Sequence, residues 1–384
     1  MKVVVAIDSF KGSLSSIEAG NAIKEGILSV DESAQVEVLP LADGGEGTVD
    51  ALITGMNAGE IKVVVTGPLG NPVECRYGIL PETKTAIMEI SQAAGLTLVD
   101  IKERNPLHTT TYGVGEMILD AIGRGCREFL IGIGGSATND GGIGMLNALG
   151  CRFLNGQMEP LEGYGRDLEK IASIDFSGLN KALTECRFRV ACDVNNPLCG
   201  QNGASRVFGP QKGADEATIN RLDAGLMHYA GLVCRTLGKD TRDMAGTGAA
   251  GGLGYSFLTI LNASLEPGVD IVIDTVRLED SIRDADLVIT GEGRLDSQTV
   301  RGKAPVGVAK LAKRYGVTVI ALSGCTTEDA AVCNENGIDA FFPILQKPMT
   351  VQEAMETETS RKNIKRTAAQ IIRLIKTVKE VPVF

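Results

Sequence analysis

The N-terminal part of the chain alternates short apolar runs with amphipathic stretches. Lys2–Asp8 is a continuous apolar run that predicts a buried strand, and Ser13 predicts the N-cap of a helix ending near Leu28. Gln35–Leu41 predicts a second strand, followed by a helix to about Thr54. Two strand–helix units in succession are typical of a parallel sheet, which binds ligands at the carboxyl ends of its strands.

The pattern changes in the middle of the chain. Three strand-like runs separated by turn residues predict an antiparallel meander. These runs are Ile61–Thr66, Val73–Leu80 and Lys84–Ile90. The elements predicted after them are helix Tyr112–Gly123, strand Phe129–Ile133, helix Ile143–Leu149, strand Phe188–Cys192, helix Asp215–Leu237, and a helix to about Leu261 after the glycine-rich loop Gly246–Gly254.

From Ala285 the strand–helix alternation returns. The predicted elements are strand Asp286–Thr290, helix Lys303–Tyr315, strand Val317–Ser323, helix Thr327–Asn336, strand Ala340–Ile344 and a terminal helix Val351–Val378. Because the two ends of the chain resemble each other and the middle differs, the predicted fold class is α/β with two domains. Residues 1–62 and 284–384 form a flavodoxin-like parallel-sheet domain, and residues 63–283 form a mixed α/β domain inserted in it.

Composition and charge exclude several kinds of protein. A net charge of −10 and an aromatic content of 4% disfavour a nucleic-acid partner. No apolar run reaches the roughly 18 residues of a membrane span, and the N-terminal run is too short for a signal peptide. Nine cysteines without a Cys-x-x-Cys pair predict a reduced, cytoplasmic protein. The two histidines, His108 and His228, are expected to be structural.

Glycine is enriched, with 47 of 384 residues, and the strongest cluster follows the predicted strand Phe129–Ile133. A strand that ends in small residues before a helix presents backbone N–H groups and a positive helix end, which together bind anions. The candidate residues are Gly134, Gly135, Ser136, Thr138, Asn139 and Asp140. The alternative is a tight turn without a ligand.

Acidic residues follow two other predicted strands. Asp43 and Glu46 flank Gly44 and Gly45, a spacing that suits Mg²⁺ and equally suits a helix-capping arrangement. Glu292, Arg294 and Asp296 follow a strand of the same predicted sheet. With Lys11 and Lys303 they predict a metal-plus-anion arrangement at one sheet edge, with a solvated loop as the alternative.

Asp193 closes a predicted strand of the inserted domain. It suits a general base, a metal ligand or the first residue of an Asx-turn. Arg206, Gln211 and Lys212 lie in the next loop, where they could hold a carboxylate or remain solvated.

Two glycine patterns resemble nucleotide motifs without their context. Gly246–Gly251 matches the dinucleotide pattern, but no strand precedes it. Gly132–Ala137 follows a strand, but Asn139 and Asp140 delay the helix. The Walker signature is absent, since Ala304 follows Gly302 and Lys303.

Seven motifs together resemble those of the type I glycerate kinases, in order along the chain. They are Asp8-Ser-Phe-Lys-Gly-Ser13, Ala42-Asp-Gly-Gly-Glu-Gly-Thr48, Gly132-Ile-Gly-Gly-Ser-Ala-Thr-Asn-Asp-Gly-Gly142, Cys192-Asp-Val-Asn-Asn-Pro197, Phe208-Gly-Pro-Gln-Lys-Gly213, Gly248-Ala-Ala-Gly-Gly-Leu-Gly254 and Thr290-Gly-Glu-Gly-Arg-Leu-Asp296. The resemblance implies phosphorylation of D-glycerate by ATP with Mg²⁺, with 2-phosphoglycerate as the product, and two α/β domains, one inserted in the other.

Such an enzyme must cradle phosphates, hold Mg²⁺, fix the acceptor and take up a hydroxyl proton. We expect Lys11 to neutralise the transferred group, and Asp193, or else Asp296, to accept the proton. We expect Asp43, Glu46 and Glu292 to hold Mg²⁺. The residues expected to bind phosphate, nucleotide or substrate are Ser9, Gly44, Gly45, Gly134, Gly135, Ser136, Thr138, Asn139, Asp140, Arg206, Lys212, Gly251, Gly252, Arg294 and Lys303.

Two other functions remain as alternatives at this point. A dinucleotide-dependent oxidoreductase would use Gly132–Ala137, and a two-lobed sugar-acid sensor would bind its ligand without turnover. The expected partners are D-glycerate and ATP, without nucleic acid or membrane, and a homodimer is left open.

Overall fold

The structure is a computed structural model that describes residues 1–42, 47–56 and 58–380. The strands of these residues, in chain order, are β1 (Lys2–Ile7), β2 (Gln35–Pro40), β3 (Gly59–Thr66), β4 (Pro72–Leu80), β5 (Thr85–Glu89), β6 (Glu128–Gly132), β7 (Arg152–Leu154), β8 (Ser173–Asp175), β9 (Arg187–Ala191), β10 (Ser264–Glu266), β11 (Leu287–Leu295), β12 (Thr318–Thr326) and β13 (Ala340–Pro343).

The α-helices are α1 (Ser16–Leu28), α2 (Thr48–Gly55), α3 (Ser91–Ala94), α4 (Tyr112–Gly123), α5 (Ile143–Ala148), α6 (Ala204–Phe208), α7 (Glu216–Leu237), α8 (Ala249–Thr259), α9 (Gly268–Thr275), α10 (Leu278–Ile282), α11 (Ala304–Arg314), α12 (Val332–Glu335), α13 (Val351–Met355) and α14 (Thr357–Glu380). Short 3-10 helices span Leu96–Leu98, Ile101–Glu103, Pro106–His108, Gly165–Lys170, Lys181–Glu185, Pro210–Lys212, Thr299–Arg301 and Glu328–Ala331. None of the described helices is long and apolar enough to cross a membrane.

The chain forms two compact units. The first contains residues 1–43, 50–57 and 269–384, and the second contains residues 44–49 and 58–268. The boundaries differ from the predicted 62/63 and 283/284. Strand β3 pairs along its whole length with β4 and therefore lies in the second unit, whereas α9 and α10 lie in the first.

The first unit is a five-stranded parallel sheet with the order β13-β12-β11-β1-β2. If the five strands of this unit are numbered 1 to 5 along the chain and read from the β2 edge, their order is 2-1-3-4-5. This is the flavodoxin-like order. The central strands β1 and β11 carry near-continuous apolar runs because helices cover both faces of such a sheet. Their core includes Val3, Val5, Leu287 and Ile289, each at most 2% exposed. The predicted fold class is confirmed.

The second unit contains a six-stranded mixed sheet with the order β10-β9-β6-β5-β4-β3 and a separate two-stranded antiparallel sheet, β7-β8. The predicted meander is present, since β3 and β4, and β4 and β5, pair antiparallel. The pairs β5-β6, β6-β9 and β9-β10 are parallel. The large core of this unit includes the stacked rings of Phe129 and Phe188, with centroids 4.8 Å apart.

Several predicted boundaries are wrong. Helix α1 is capped by Ser15 instead of Ser13, because Ser15 and Glu18 form a capping box. The predicted loop after Thr290 is strand, because β11 continues alongside β12 to Leu295. The predicted terminal helix is two helices that break at Glu356. The predicted helix Thr327–Asn336 is a 3-10 turn followed by the short α12.

The predicted glycine-rich loop 246–254 overlaps α8. Residues Ala250, Gly251 and Gly252 have left-handed backbone angles inside the assigned span, so the regular part of α8 starts after Gly252. At Gly251 the backbone passes close to the loop that follows β6: a Cβ atom there would lie 2.1 Å from the Thr138 carbonyl oxygen. Only glycine satisfies both the left-handed angle and this approach.

The substitution Gly251→Ala should therefore lower the free energy of unfolding more than Gly238→Ala. The two glycines have φ of +69° and +67°, but a Cβ at Gly238 meets nothing within 4 Å. The Gly238 variant should lose about 1–2 kcal/mol from the left-handed angle alone, and the Gly251 variant should lose more because Thr138 must move. Urea denaturation of both variants measures the difference. Equal losses would show that the close approach is unimportant.

Candidate functional site

The glycine-rich loop after β6 is fastened to the segment around α3. The Leu96 N–H donates to the Gly135 carbonyl at 2.8 Å, and the Ala137 N–H donates to the Ala94 carbonyl at 2.8 Å. Gly134 and Gly135 are exposed, while Ser136 and the following residues to Asp140 are buried. The loop therefore presents its glycine backbone at the surface and anchors its polar side chains below.

Asp140 is the main anchor of this loop. Its carboxylate accepts hydrogen bonds from the N–H and hydroxyl of Thr111 at 2.8 and 2.7 Å, and from the N–H groups of Gly142 and Gly144 at 3.0 and 3.3 Å. Thr111 precedes α4, and the two glycines lie at the start of α5. Complete burial raises the pKa of Asp140, while the four donors act in the opposite direction. Asp140 thus ties two helix N-termini to the loop.

Lys212 is buried beneath the same loop. Its Nζ donates to the Ser136 hydroxyl at 2.8 Å and to the Thr138 carbonyl at 2.6 Å. Complete burial lowers the pKa of Lys212 from 10.5 to about 7, and the nearby charge of Asp140 opposes this shift. The ammonium group therefore fixes the loop from below.

A cavity of about 230 Å³ opens above this loop. Its lining includes Gly134, Gly135, Ser136, Asp193, Gln211 and Lys212. Asp193 follows β9 and is exposed. Its Oδ1 accepts a hydrogen bond from the Gly268 N–H at 3.0 Å, which holds the carboxylate in place. The cavity brings together exposed glycine backbone, a carboxylate and a buried cation.

Other predicted binding residues of this unit lie away from the cavity lining. Arg206 donates to the Asn220 side chain at 2.8 Å and lies 3.7 Å from Glu216, both on α7. Asn139 donates to the Ser205 hydroxyl at 3.0 Å. Thr138 Oγ1 and Asn139 Oδ1 are buried without a hydrogen-bond partner among the described residues. Gly251 and Gly252 pack against the loop through backbone, and the Gly251 carbonyl accepts from the Gly141 N–H at 3.0 Å.

The first unit has its own cavity, of about 470 Å³, at the carboxyl ends of β1, β11, β12 and β13. Its polar lining includes Asp8, Ser9, Lys11, Glu292, Arg294 and Lys303. The structure thus brings together most of the residues that the sequence predicts at this edge. Asp8 is buried and Lys11 is exposed.

Four charged side chains near this edge form two ion pairs, Lys303 with Glu292 and Arg294 with Asp296. Glu292 accepts hydrogen bonds from the Thr299 hydroxyl at 2.6 Å and from Lys303 Nζ at 3.2 Å, and burial raises its pKa. Asp296 accepts from Arg294 Nε at 2.9 Å and from the Gln298 N–H at 2.9 Å. Asp296 is absent from the lining of this cavity.

The predicted metal ligands are only partly described. Asp43 and Glu46, with Gly44 and Gly45 between them, lie outside the described residues. Among residues 1–42, 47–56 and 58–380, no group of three acidic, histidine or cysteine side chains could hold a metal ion.

Sequence reasoning missed Glu89, at the end of β5. This buried carboxylate accepts from the N–H groups of Gly47 and Val49 at 3.0 and 3.1 Å, so it caps the first turn of α2. Its signal was an acidic residue inside an apolar strand. Both histidines contact other groups of the protein: His228 Nε2 contacts the Ile171 carbonyl at 2.7 Å, and His108 contacts Arg166 at 3.2 Å. Their structural role stays a prediction.

Comparisons with known proteins agree along the whole chain. The model of the glycerate kinase family matches residues 3–376. Glycerate kinase of Bacillus subtilis (strain 168) is 48% identical over 379 residues, which is 99% of each chain. Glycerate 2-kinase of Escherichia coli (strain K12) is 48% identical over 354 residues, which is 92% of this chain and 93% of that protein.

A solved structure agrees as well. The crystal structure of a protein assigned as glycerate kinase 2 from Salmonella typhimurium LT2 matches with a TM-score of 0.92 and 45% identity, over 99% of this chain and 100% of that chain. The resemblance predicted from the seven sequence motifs is confirmed, and this chain belongs to the glycerate kinase family.

Proposed function

We propose that this protein transfers the terminal phosphoryl group of ATP to the 2-hydroxyl of D-glycerate, giving 2-phosphoglycerate and ADP. The observation that carries the proposal is the similarity, over nearly the whole chain, to proteins named glycerate kinase and glycerate 2-kinase. The chemistry of the two cavities supports it, because phosphoryl transfer needs positioned cations, backbone donors and a proton acceptor.

Glycerate is proposed to bind in the cavity of the second unit. A volume of about 230 Å³ suits a small acid. The exposed backbone of Gly134 and Gly135 provides donors for its carboxylate, and Gln211 adds a polar side chain. Lys212 keeps this backbone in position from below.

Asp193 is proposed to accept the proton of the attacking hydroxyl. The new bond forms between the glycerate oxygen and the terminal phosphorus, the bond from that phosphorus to the bridging oxygen breaks, and ADP leaves with the electron pair. The hydroxyl proton passes to the Asp193 carboxylate, whose orientation the Gly268 N–H maintains.

Lys11, Arg294 and Lys303 are proposed to neutralise phosphate charge. Mg²⁺ is proposed to arrive with ATP, because magnesium in kinases is held largely by substrate phosphates and water. Asp43, Glu46 and Glu292 remain its proposed protein ligands. When bound, the ion would offset negative charge on the phosphates. The nine cysteines are all free, which supports the proposed cytoplasmic location.

The proposed reaction has a direct test. Purified protein incubated with MgATP should release ADP only when D-glycerate is added, and ³¹P NMR should detect 2-phosphoglycerate. A 3-phosphoglycerate signal would support the kinase activity and contradict transfer to the 2-hydroxyl. Binding of a nicotinamide cofactor, or of glycerate without turnover, would instead favour the oxidoreductase or the sensor.

The substitution Asp193→Asn should lower kcat by about 10²-fold or more if this residue is the base. Asparagine retains the oxygen that accepts from Gly268, so the loop should keep its structure. Asp243→Asn, at another exposed aspartate of the same unit, is the matched control and should keep its kcat. An unchanged kcat in the Asp193 variant, measured by ADP release, would eliminate the proposed role.

The lowered pKa of Lys212 should make the free energy of unfolding depend on pH. Its pKa is about 7 in the folded protein and 10.5 ordinarily, so the unfolded chain binds more protons between these values. Lys212 therefore makes the free energy of unfolding rise as the pH increases from about 7 to about 10. In Lys212→Met this contribution is lost. Urea denaturation of both proteins across this range should give a difference that grows with pH, and parallel profiles would contradict the lowered pKa.

A further inference from the structure

We propose that the nucleotide binds in the cavity of the first unit, with its base on an apolar wall formed by residues 344–355 and its phosphates toward Lys11, Arg294 and Lys303. This inference rests on the proposed function and assigns one of its two substrates to one cavity. It follows from the sheet topology, the two-sided chemistry of the lining and the exposure of the apolar wall.

The topology marks this cavity as the ligand crevice. Within the sheet, β1 has β2 as its neighbour on one side and β11 as its neighbour on the other. In open parallel sheets, ligands bind outside the carboxyl ends of the strands where the strand order reverses in this way. The segment after β1 supplies Ser9 and Lys11 to the cavity, and the end of β11 supplies Glu292 and Arg294.

The lining is divided by chemistry. The cations Lys11, Arg294 and Lys303 come from segments near β1 and β11. The apolar wall comes from the segment after β13 and from α13. Its residues are Ile344, Leu345, Met349, Val351, Ala354 and Met355, with the polar Thr350 among them. A ligand with an aromatic base at one end and phosphates at the other is complementary to such a cavity. Pockets for ligands of this kind usually have about 300–1,000 Å³, and this one has about 470 Å³.

The apolar wall exposes large side chains to solvent. Leu345, Val351 and Met355 are 40%, 68% and 42% exposed. Clustered exposed apolar side chains that border a polar pocket mark a binding surface. A base lying on this wall would cover them.

The cavity of the second unit is a poor alternative for the nucleotide. Its volume of about 230 Å³ is half as large and falls below the usual range for ligands of that size. Its lining from the loop after β6 is mainly small residues and backbone, which suits an anionic group better than a base.

Two cysteines of the chain provide a test that does not depend on turnover. Cys325 lines the first cavity and is exposed, and Cys192 lines the second and is half-buried. The full-length protein is treated with a thiol-alkylating reagent, alone, with the Mg²⁺ complex of a non-hydrolysable ATP analogue, or with D-glycerate. Mass spectrometry of the peptides then gives the alkylation rate at each cysteine. The buried Cys126 and Cys333 report whether the protein stays folded.

The analogue should protect Cys325, and glycerate should not. At ten times its Kd the analogue leaves about one tenth of the sites empty, so alkylation of Cys325 should slow about tenfold. Protection of Cys192 without Cys325, or of neither residue, would overturn the inference. Glycerate-dependent ADP release without protection of Cys325 would overturn this inference alone. Protection of Cys325 without any such release would support nucleotide binding and contradict the proposed function.

A variant separates direct contact from an indirect effect. Leu345→Ser should raise the KM for ATP and weaken protection of Cys325, with the KM for glycerate unchanged. Leu374→Ser is the matched control, because Leu374 is also an exposed leucine of the first unit, 57% exposed and outside the cavity lining. Equal effects of the two substitutions on the KM for ATP would contradict a base-binding wall.

Discussion

The burial of Lys212 is the constraint on which the cavity of the second unit depends. Burying an ammonium group costs free energy unless its N–H donors find acceptors. The Lys212 ammonium donates to the Ser136 hydroxyl and the Thr138 carbonyl, and both acceptors belong to the loop after β6. Asp140 adds a nearby negative charge that favours the protonated lysine. Because Asp140 also accepts from the first turns of two helices, the loop is held by groups that cannot move independently.

The same arrangement explains why a glycine of α8 packs against the loop at position 251. Gly251 approaches the Thr138 carbonyl too closely for any side chain, and the carbonyl itself accepts from Lys212. Polar side chains therefore lie beneath the loop, and backbone lies at its surface. Backbone held on a rigid support is well ordered before any ligand arrives, which lowers the entropic cost of binding.

Much of this organisation could be predicted from residues alone. The alternation of apolar strands with helices at both ends indicated the flavodoxin-like sheet, and seven motifs indicated the family. The loop Gly134–Asp140 and the charges of β11 were found because small residues and carboxylates interrupt otherwise apolar strands. What the pattern could not supply was which polar groups are buried. Lys212 and Arg206 are both cations in one loop-rich segment, yet the structure buries the first beneath the glycines and pairs the second with α7.

The apolar wall of the first cavity was missed for a related physical reason. In a sequence, Leu345, Val351 and Met355 are indistinguishable from core residues, because periodicity reports amphipathic patterning and not what covers each face. The break at Glu356 separates α13 from α14, and α13 contributes to the cavity wall. Strand β11 also differs from its prediction. It extends to Leu295 beside β12, so Glu292 and Arg294 lie on a paired strand and not on a loop. Side chains on paired strands are held more rigidly than side chains on a loop, and the proposed phosphoryl transfer depends mainly on such positioning.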